Sequence, residues 1–156
     1  MEVIKVGLPP VASADARLLI LGSLPGDASL AAQRYYAHPT NQFWRLLGPA
    51  VGEDLQSLAY ENRLETLAGR GVALWDVVAS ATRRGSLDQA IRSAEHNAIA
   101  DLLGTLPDLR AVAFNGTTSA RIGRTLIGDR DDLQLIDLPS SSAANTAPFA
   151  DKAAAW

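Results

Sequence analysis

Four short apolar runs punctuate the chain, and each meets a small or polar residue at or near its end. Leu18-Leu19-Ile20-Leu21 stops at Gly22-Ser23, and Ala111-Val112-Ala113-Phe114 stops at Asn115-Gly116. Leu133-Gln134-Leu135-Ile136-Asp137-Leu138 stops at Pro139-Ser140, and Gly71 to Val78 carries Asp76 within it. Runs this short and this continuous suit strands buried on both faces. Helical patterns separate them, at Asn41 to Val51, Tyr60 to Ala68, Asn97 to Leu106 and Thr117 to Ile127. Strands alternating with helices imply a parallel sheet covered on both sides. The expected fold class is therefore α/β, with helices on both faces of a parallel sheet of about four strands.

A length of 156 residues matches one domain spanning 1–156. The chain has 14 basic and 17 acidic side chains, a net charge of -3. That balance excludes a strongly basic, sequence-blind nucleic-acid coat and leaves room for a local basic groove. With no cysteine there is no disulfide frame, thiolate metal site or thiol nucleophile. No apolar run approaches the ~18–20 residues of a membrane span. Met1-Glu2-Val3-Ile4-Lys5 lacks the layout of a secretion signal. The expectation is a cytoplasmic, monomeric domain that does not engage membranes.

Ligands of open α/β sheets bind beyond the carboxyl ends of the strands. Here those ends carry Gly22-Ser23-Leu24-Pro25-Gly26, Asp76, Asn115-Gly116 and Pro139-Ser140-Ser141-Ser142. The glycines allow close approach of backbone amides to a phosphate or a base oxygen, although the same string also makes an ordinary turn. It is neither a dinucleotide fingerprint nor a P-loop. Two long stretches, Leu24 to Thr40 and Ser140 to Pro148, read as loops, and long loops in compact domains carry function.

Tyr35 to Trp44 concentrates four of the nine aromatic residues around His38-Pro39-Thr40-Asn41-Gln42. Asn41 is a natural cap for a helix starting at Gln42, and Pro39 keeps His38 extended. Asp76, inside an apolar strand, needs either a partner or a ligand, because an isolated carboxylate there is desolvated. His96 reads as a solvated residue at a helix start. Two histidines and scattered carboxylates show no metal-ligand spacing, so no metal is expected. No Gly-x-Ser-x-Gly elbow marks a serine hydrolase.

Gly22-Ser23-Leu24-Pro25-Gly26, Ala37-His38-Pro39-Thr40-Asn41-Gln42-Phe43-Trp44 and Leu138-Pro139-Ser140-Ser141-Ser142 together resemble the uracil-DNA glycosylase superfamily. Gly7-Leu8-Pro9-Pro10-Val11, Ala73-Leu74-Trp75-Asp76-Val77 and Phe114-Asn115-Gly116 are similar to its deoxyinosine (hypoxanthine-DNA) branch. The resemblance runs from about Gly7 to Trp156. It implies a three-layer α/β/α sandwich around a four-stranded parallel sheet. The implied activity is hydrolysis of the N-glycosidic bond of a flipped, deaminated base in DNA, with no cofactor.

Leu24 stands where the superfamily usually has a polar, water-positioning residue, and the resemblance to the deoxyinosine branch implies that Asn41 takes that duty as the catalytic residue. Leu138 stands where a histidine often aids the leaving base. Phe43 is expected to stack on the base. Asp76 falls where uracil enzymes carry a base-reading asparagine, and as a carboxylate it accepts a ring N–H. Gly22, Ser23 and Leu24 would serve the base oxygen, and Asn115 would read the edge or brace the loop. Pro25, Gly26, His38, Ser140, Ser141 and Ser142 would contact DNA, with Arg34, Arg83 and Arg84 as basic helpers. The only lysines, Lys5 and Lys152, lie near the termini and away from these motifs, which implies a monofunctional enzyme without Schiff-base chemistry. Small residues after Ser140 imply a preference for weakly paired or single-stranded substrate. Two other readings fit the same residues: a mismatch-specific uracil or thymine glycosylase, and a non-catalytic nucleic-acid-binding domain.

Overall fold

The computed structural model describes residues 3–156. In chain order the elements are β1 Ile4–Val6, β2 Leu18–Gly22, α1 Asp27–Ala32, α2 Phe43–Val51, α3 Tyr60–Gly69, β3 Val72–Asp76 and β4 Val78–Thr82. Then follow β5 Arg92–His96, α4 Ile99–Gly104, β6 Ala111–Asn115, α5 Thr117–Ile127, β7 Gln134–Leu138 and α6 Phe149–Ala155. A parallel four-stranded sheet has the order β3-β2-β6-β7, and a smaller antiparallel sheet has the order β1-β4-β5.

Side chains alternate across each parallel strand, and this divides the core in two. On one face Leu19, Leu21, Ala73, Val112 and Phe114 pack with Ile99 and Leu103 of α4 and Ile122 of α5. On the other face Ile20, Leu74 and Ala113 pack with Phe43, Trp44 and Leu47 of α2 and Leu67 of α3. The result is the expected three-layer α/β/α arrangement. Close packing of α5 depends on Gly123, where a Cβ would sit 2.5 Å from the Phe114 ring.

The strand ends are level. Gly22 is in register with Asp76, and Asn115 with Leu138. The chain leaves β2 for β3 on one side and β6 for β7 on the other, so the sheet's switch point lies between β2 and β6.

Three sequence expectations need correction. The Gly71–Val78 run is two strands, because Val77 and Val78 turn away from the parallel sheet to start β4. The Val77 and Val78 N–H groups donate to the Gly22 and Ser23 carbonyls at 2.9 and 3.0 Å, which holds the turn. The Leu24–Thr40 stretch contains α1. His96 ends strand β5, opposite Val78, and does not begin a helix. Among the described residues no helix is long and apolar enough to cross a membrane.

Candidate functional site

A cleft of about 700 Å³ opens at the carboxyl edge of the parallel sheet. Its walls are the Gly22–Ser29 segment, Tyr35 to Asn41 in part, Asp76, Ser86 to Gln89, Asn115 to Thr118 and Ser140 to Asn145. The four strand-end motifs therefore share one cavity.

Asn41 is held from two sides. Its Oδ1 accepts the Phe43 N–H at 2.9 Å, which anchors the start of α2. The helix begins at Phe43, one residue later than expected, so Asn41 caps it from outside the first turn. The same Oδ1 accepts the Ser141 hydroxyl at 2.8 Å. Ser141 Oγ in turn accepts from Asn115 Nδ2 at 2.9 Å, and Ser141 N–H donates to Asn115 Oδ1 at 2.9 Å. The Gln42 N–H donates to the Ser141 carbonyl at 2.9 Å. These bonds fix the plane and orientation of the Asn41 amide, with its two carbonyl lone pairs engaged and its Nδ2 hydrogens left over. They also commit Asn115 to bracing the serine loop.

Asp76 is only 3% exposed, and its Oδ2 has no partner. Burial, reinforced by the nearby Asp88 carboxylate and opposed by Arg83, pushes its carboxyl up to about 7. The carboxyl expected to be a plain anion thus holds its proton to near neutrality. Ser23 Oγ–H donates to Asp88 Oδ1 at 2.6 Å, and burial raises Asp88 as well. Gly22 has to lack a side chain, because a Cβ there would overlap Asp76 Oδ1 and lie 2.9 Å from the Tyr36 hydroxyl.

Leu24 is buried in the core, and only its backbone faces polar partners. Arg83 is also buried. Its guanidinium donates to the carbonyls of Pro25 at 2.7 Å, Leu24 at 3.4 Å and Gly85 at 2.8 Å. It braces the Leu24-Pro25 turn, so its expected contact with DNA does not fit. Arg34 pairs with Glu61 at 3.5 Å, while Arg84 is exposed. His38 is exposed on the cleft wall, where its Nδ1 accepts the Thr40 N–H at 3.1 Å. That leaves Nε2–H as the outward donor of the neutral ring.

Lys152 does not lie away from the motifs. It is 2% exposed, and its ammonium donates to Gln42 Oε1 at 2.8 Å, Asn145 O at 2.8 Å and Ser142 O at 3.3 Å. Burial lowers its pKa. Its three protons are spent on tying the serine loop to the residue beside Asn41. Within that loop Ser140 Oγ accepts the Ser142 N–H at 3.2 Å, and Ser142 Oγ accepts the Ala144 N–H at 3.1 Å.

Phe43 is fully buried and is not part of the cleft wall. The ring of Tyr36 covers it, stacked at 3.8 Å between centroids and 14° between planes. The sequence reading missed Tyr36, Leu87 and Asp88 as cleft residues and gave Arg83 and Lys152 roles that the structure replaces. Tyr36 lay within the aromatic string and was signalled by it. The others are delivered by the β4–β5 connection and α6, and no short-range pattern marks them.

Four likenesses to known proteins accompany this geometry. A profile of the uracil DNA glycosylase superfamily matches residues 9–156. A hypoxanthine DNA glycosylase of Methanosarcina barkeri is 42% identical over 97% of this chain and 95% of its own length. Another, of Methanosarcina acetivorans, is 41% identical over 98% and 96%. The solution NMR structure of a candidate uracil DNA glycosylase from Methanosarcina acetivorans superimposes with a TM-score of 0.86 at 41% identity, covering 97% of this chain and 93% of that one.

Proposed function

The chain belongs to the uracil DNA glycosylase superfamily, and on that premise we propose that it excises hypoxanthine from DNA by hydrolysis. Uracil and xanthine share the lactam edge of hypoxanthine and fall within the same substrate class. The observation that carries this reading is the Asn115–Ser141–Asn41 hydrogen-bond chain sharing one cleft with the buried Asp76 carboxyl.

In the reaction the bond from C1′ to the base breaks, and its electron pair leaves with the base. Water oxygen forms the new bond to C1′, and a water proton neutralises the departing base. Asn41 does not remove that proton, because an amide is a poor base. Its task is placement. A water donating to Oδ1 replaces the Ser141 hydroxyl there, exchanging one hydroxyl hydrogen for another.

Negative charge grows on the base, most of all at its oxygen. A protonated Asp76 suits that change: O–H donates to O6, while the other oxygen accepts the ring N1–H. An ionised Asp76 would repel the same charge. The hydroxyl hydrogens of Ser140 and Ser142, the His38 Nε2–H and the Pro25-Gly26 turn are free to meet the sugar-phosphate chain. The expected DNA contact of Ser141 does not fit, because it is 1% exposed and both its hydrogens are taken by Asn41 and Asn115. Leu87 is 47% exposed on the lip beside Asp88 and is the bulky apolar group available to enter the gap left in a duplex.

The test is an oligonucleotide panel carrying deoxyinosine, deoxyuridine or a thymine mismatch, single-stranded and duplex, followed by alkaline scission. Cleavage at deoxyinosine supports the reading. Cleavage confined to thymine or uracil mismatches supports the mismatch enzyme instead, and no cleavage of any substrate supports a binding domain.

A further inference from the structure

Lys152 is a buried cation without a counter-charge. It is 2% exposed. The three atoms that accept from its ammonium, Gln42 Oε1, Ser142 O and Asn145 O, are all neutral. No ion pair among the described residues includes it. The other lysine, Lys5, is paired with Asp27 at 2.7 Å. Neutral oxygens solvate an ammonium but leave its charge in place, and an uncompensated charge taken out of water is costly. An anion arriving with a ligand relieves that cost.

The serine loop shows where such an anion fits. Helix α6 and its end draw the loop's carbonyls back. Trp156 Nε1–H donates to Pro139 O at 2.9 Å, and Lys152 holds Ser142 O and Asn145 O. In a trans peptide the N–H points opposite to the C=O. The Ser140 and Ala143 N–H groups therefore point away from α6, and neither finds an acceptor among the described residues. Both residues line the cleft, as does Ser142, whereas Lys152 stands behind the loop. Ser140 Oγ and Ser142 Oγ accept the Ser142 and Ala144 N–H groups, which leaves their own hydrogens to donate. Two amides and two hydroxyls thus present donors on one stretch of loop, backed by a positive charge. That set suits a tetrahedral oxyanion that carries no proton, and a nucleotide in the cleft brings one as its phosphodiester.

We propose that Lys152 is the electrostatic anchor of a phosphate cradle: from behind the serine loop it attracts the DNA phosphodiester next to the extruded nucleotide, and it turns the loop's donors toward that group. This rests on the glycosylase reading above. Lys152 does not touch the phosphate and is a positioning residue. Its charge acts across a loop that excludes water from the ammonium, so it is screened less than a surface lysine would be. The cradle also couples DNA to the water-positioning side chain. The ammonium holds Gln42, whose N–H is bound to the Ser141 carbonyl at 2.9 Å, and Ser141 holds Asn41. A phosphate seated on the loop therefore bears on the same group of bonds that orients the Asn41 amide.

Lys152→Gln removes the charge and keeps two N–H donors for the loop. The probe is a duplex carrying a tetrahydrofuran abasic analogue, with each phosphate flanking it replaced in turn by a neutral methylphosphonate. Affinity is read by anisotropy for the wild type and the variant, with thermal melting to establish folding. On unmodified DNA the variant should bind about tenfold more weakly. At one flanking position the methylphosphonate should cost the wild type a similar factor and the variant almost nothing, so the two losses do not add. A variant weakened by the same factor on every duplex would make Lys152 a scaffold of the loop alone, and an unchanged affinity would give it no part in binding. Either result overturns the proposal. If the variant does not fold, the wild type carries the test, because its two lysines give two ammonium signals by [15N]lysine NMR. The Lys152 signal should move on binding unmodified DNA and much less when the critical phosphate is neutral. Equal movement with both duplexes overturns the proposal. Coupling without excision of deoxyinosine by the wild type would keep the cradle and reject the glycosylase, whereas excision without coupling would do the reverse.

Discussion

Asn41 carries both a structural and a chemical duty, and the two can be separated. Loss of its side chain removes the acceptor for the Phe43 N–H, a capping loss of about 1 kcal/mol. Asn41→Ser restores a cap acceptor without the amide. The expected result is near-normal melting with excision down at least about 100-fold, the order seen when a positioning group is lost. Ser141→Ala removes one of the two donors at Asn41 Oδ1 and leaves Asn115 Nδ2 without its acceptor. Single-turnover excision is expected to fall about tenfold, because Asn115 and the serine loop beside Asn41 lose the bond that holds them together. Asp76 predicts a pH dependence. Its folded pKa is about 7 against an ordinary 3.8. The raised value means that its contribution to stability is intact below about pH 4 and is lost as pH rises to about 7. The loss is on the order of 4 kcal/mol at most. Excision should decline through the same upper limit as the O–H donor disappears. Asp76→Asn keeps one donor and one acceptor at every pH, so its denaturation midpoint from pH 4 to 8 and its excision rate above pH 7 should both be flatter than those of the wild type.

The β4–β5 connection is the element that completes the site. Arg83 at its start locks the Leu24-Pro25 turn, and Asp88 near its end binds Ser23. Arg83→Met would leave the Leu24 and Pro25 carbonyls short of donors in a buried setting. The expected destabilisation is about 1–3 kcal/mol, read as a lower urea midpoint, with excision falling as well. This element was hidden in the sequence for a physical reason. Val72 to Val78 is apolar apart from Asp76, and nothing local shows that Val77 leaves one sheet for another. By contrast, β2, β6 and β7 were legible because each is a short run flanked by turn residues, and the level strand ends followed from their shared direction. The Asn41 and Ser141 motifs were legible as types and spacings, but their mutual hydrogen bond spans 100 positions and only the fold reveals it. The same holds for Lys152, which is terminal in sequence and central in space.

The molecule as a whole is acidic, with a net charge of -3, and its cleft is lined by hydroxyls and amides with few cations. Phosphate contacts of that kind release few counterions, so binding to abasic DNA should weaken only modestly between about 50 and 200 mM salt, as read by anisotropy. A steep slope would mean that a basic surface outside the cleft does the holding. Leu87 at the lip predicts a difference between substrates. Leu87→Ala should slow excision from a duplex several-fold and leave single-stranded substrate unaffected, because only a duplex has a gap to fill. The central claim is that a water seated on Asn41 displaces a deaminated base. Its most direct test is chromatographic detection of free base after a single turnover on a deoxyinosine duplex near pH 6.5, comparing the wild type with Asn41→Ala. The account predicts stoichiometric hypoxanthine and an intact, alkali-labile strand from the wild type, and almost none from a variant that remains folded. Equal release by both proteins, or no hypoxanthine from the wild type, would contradict it.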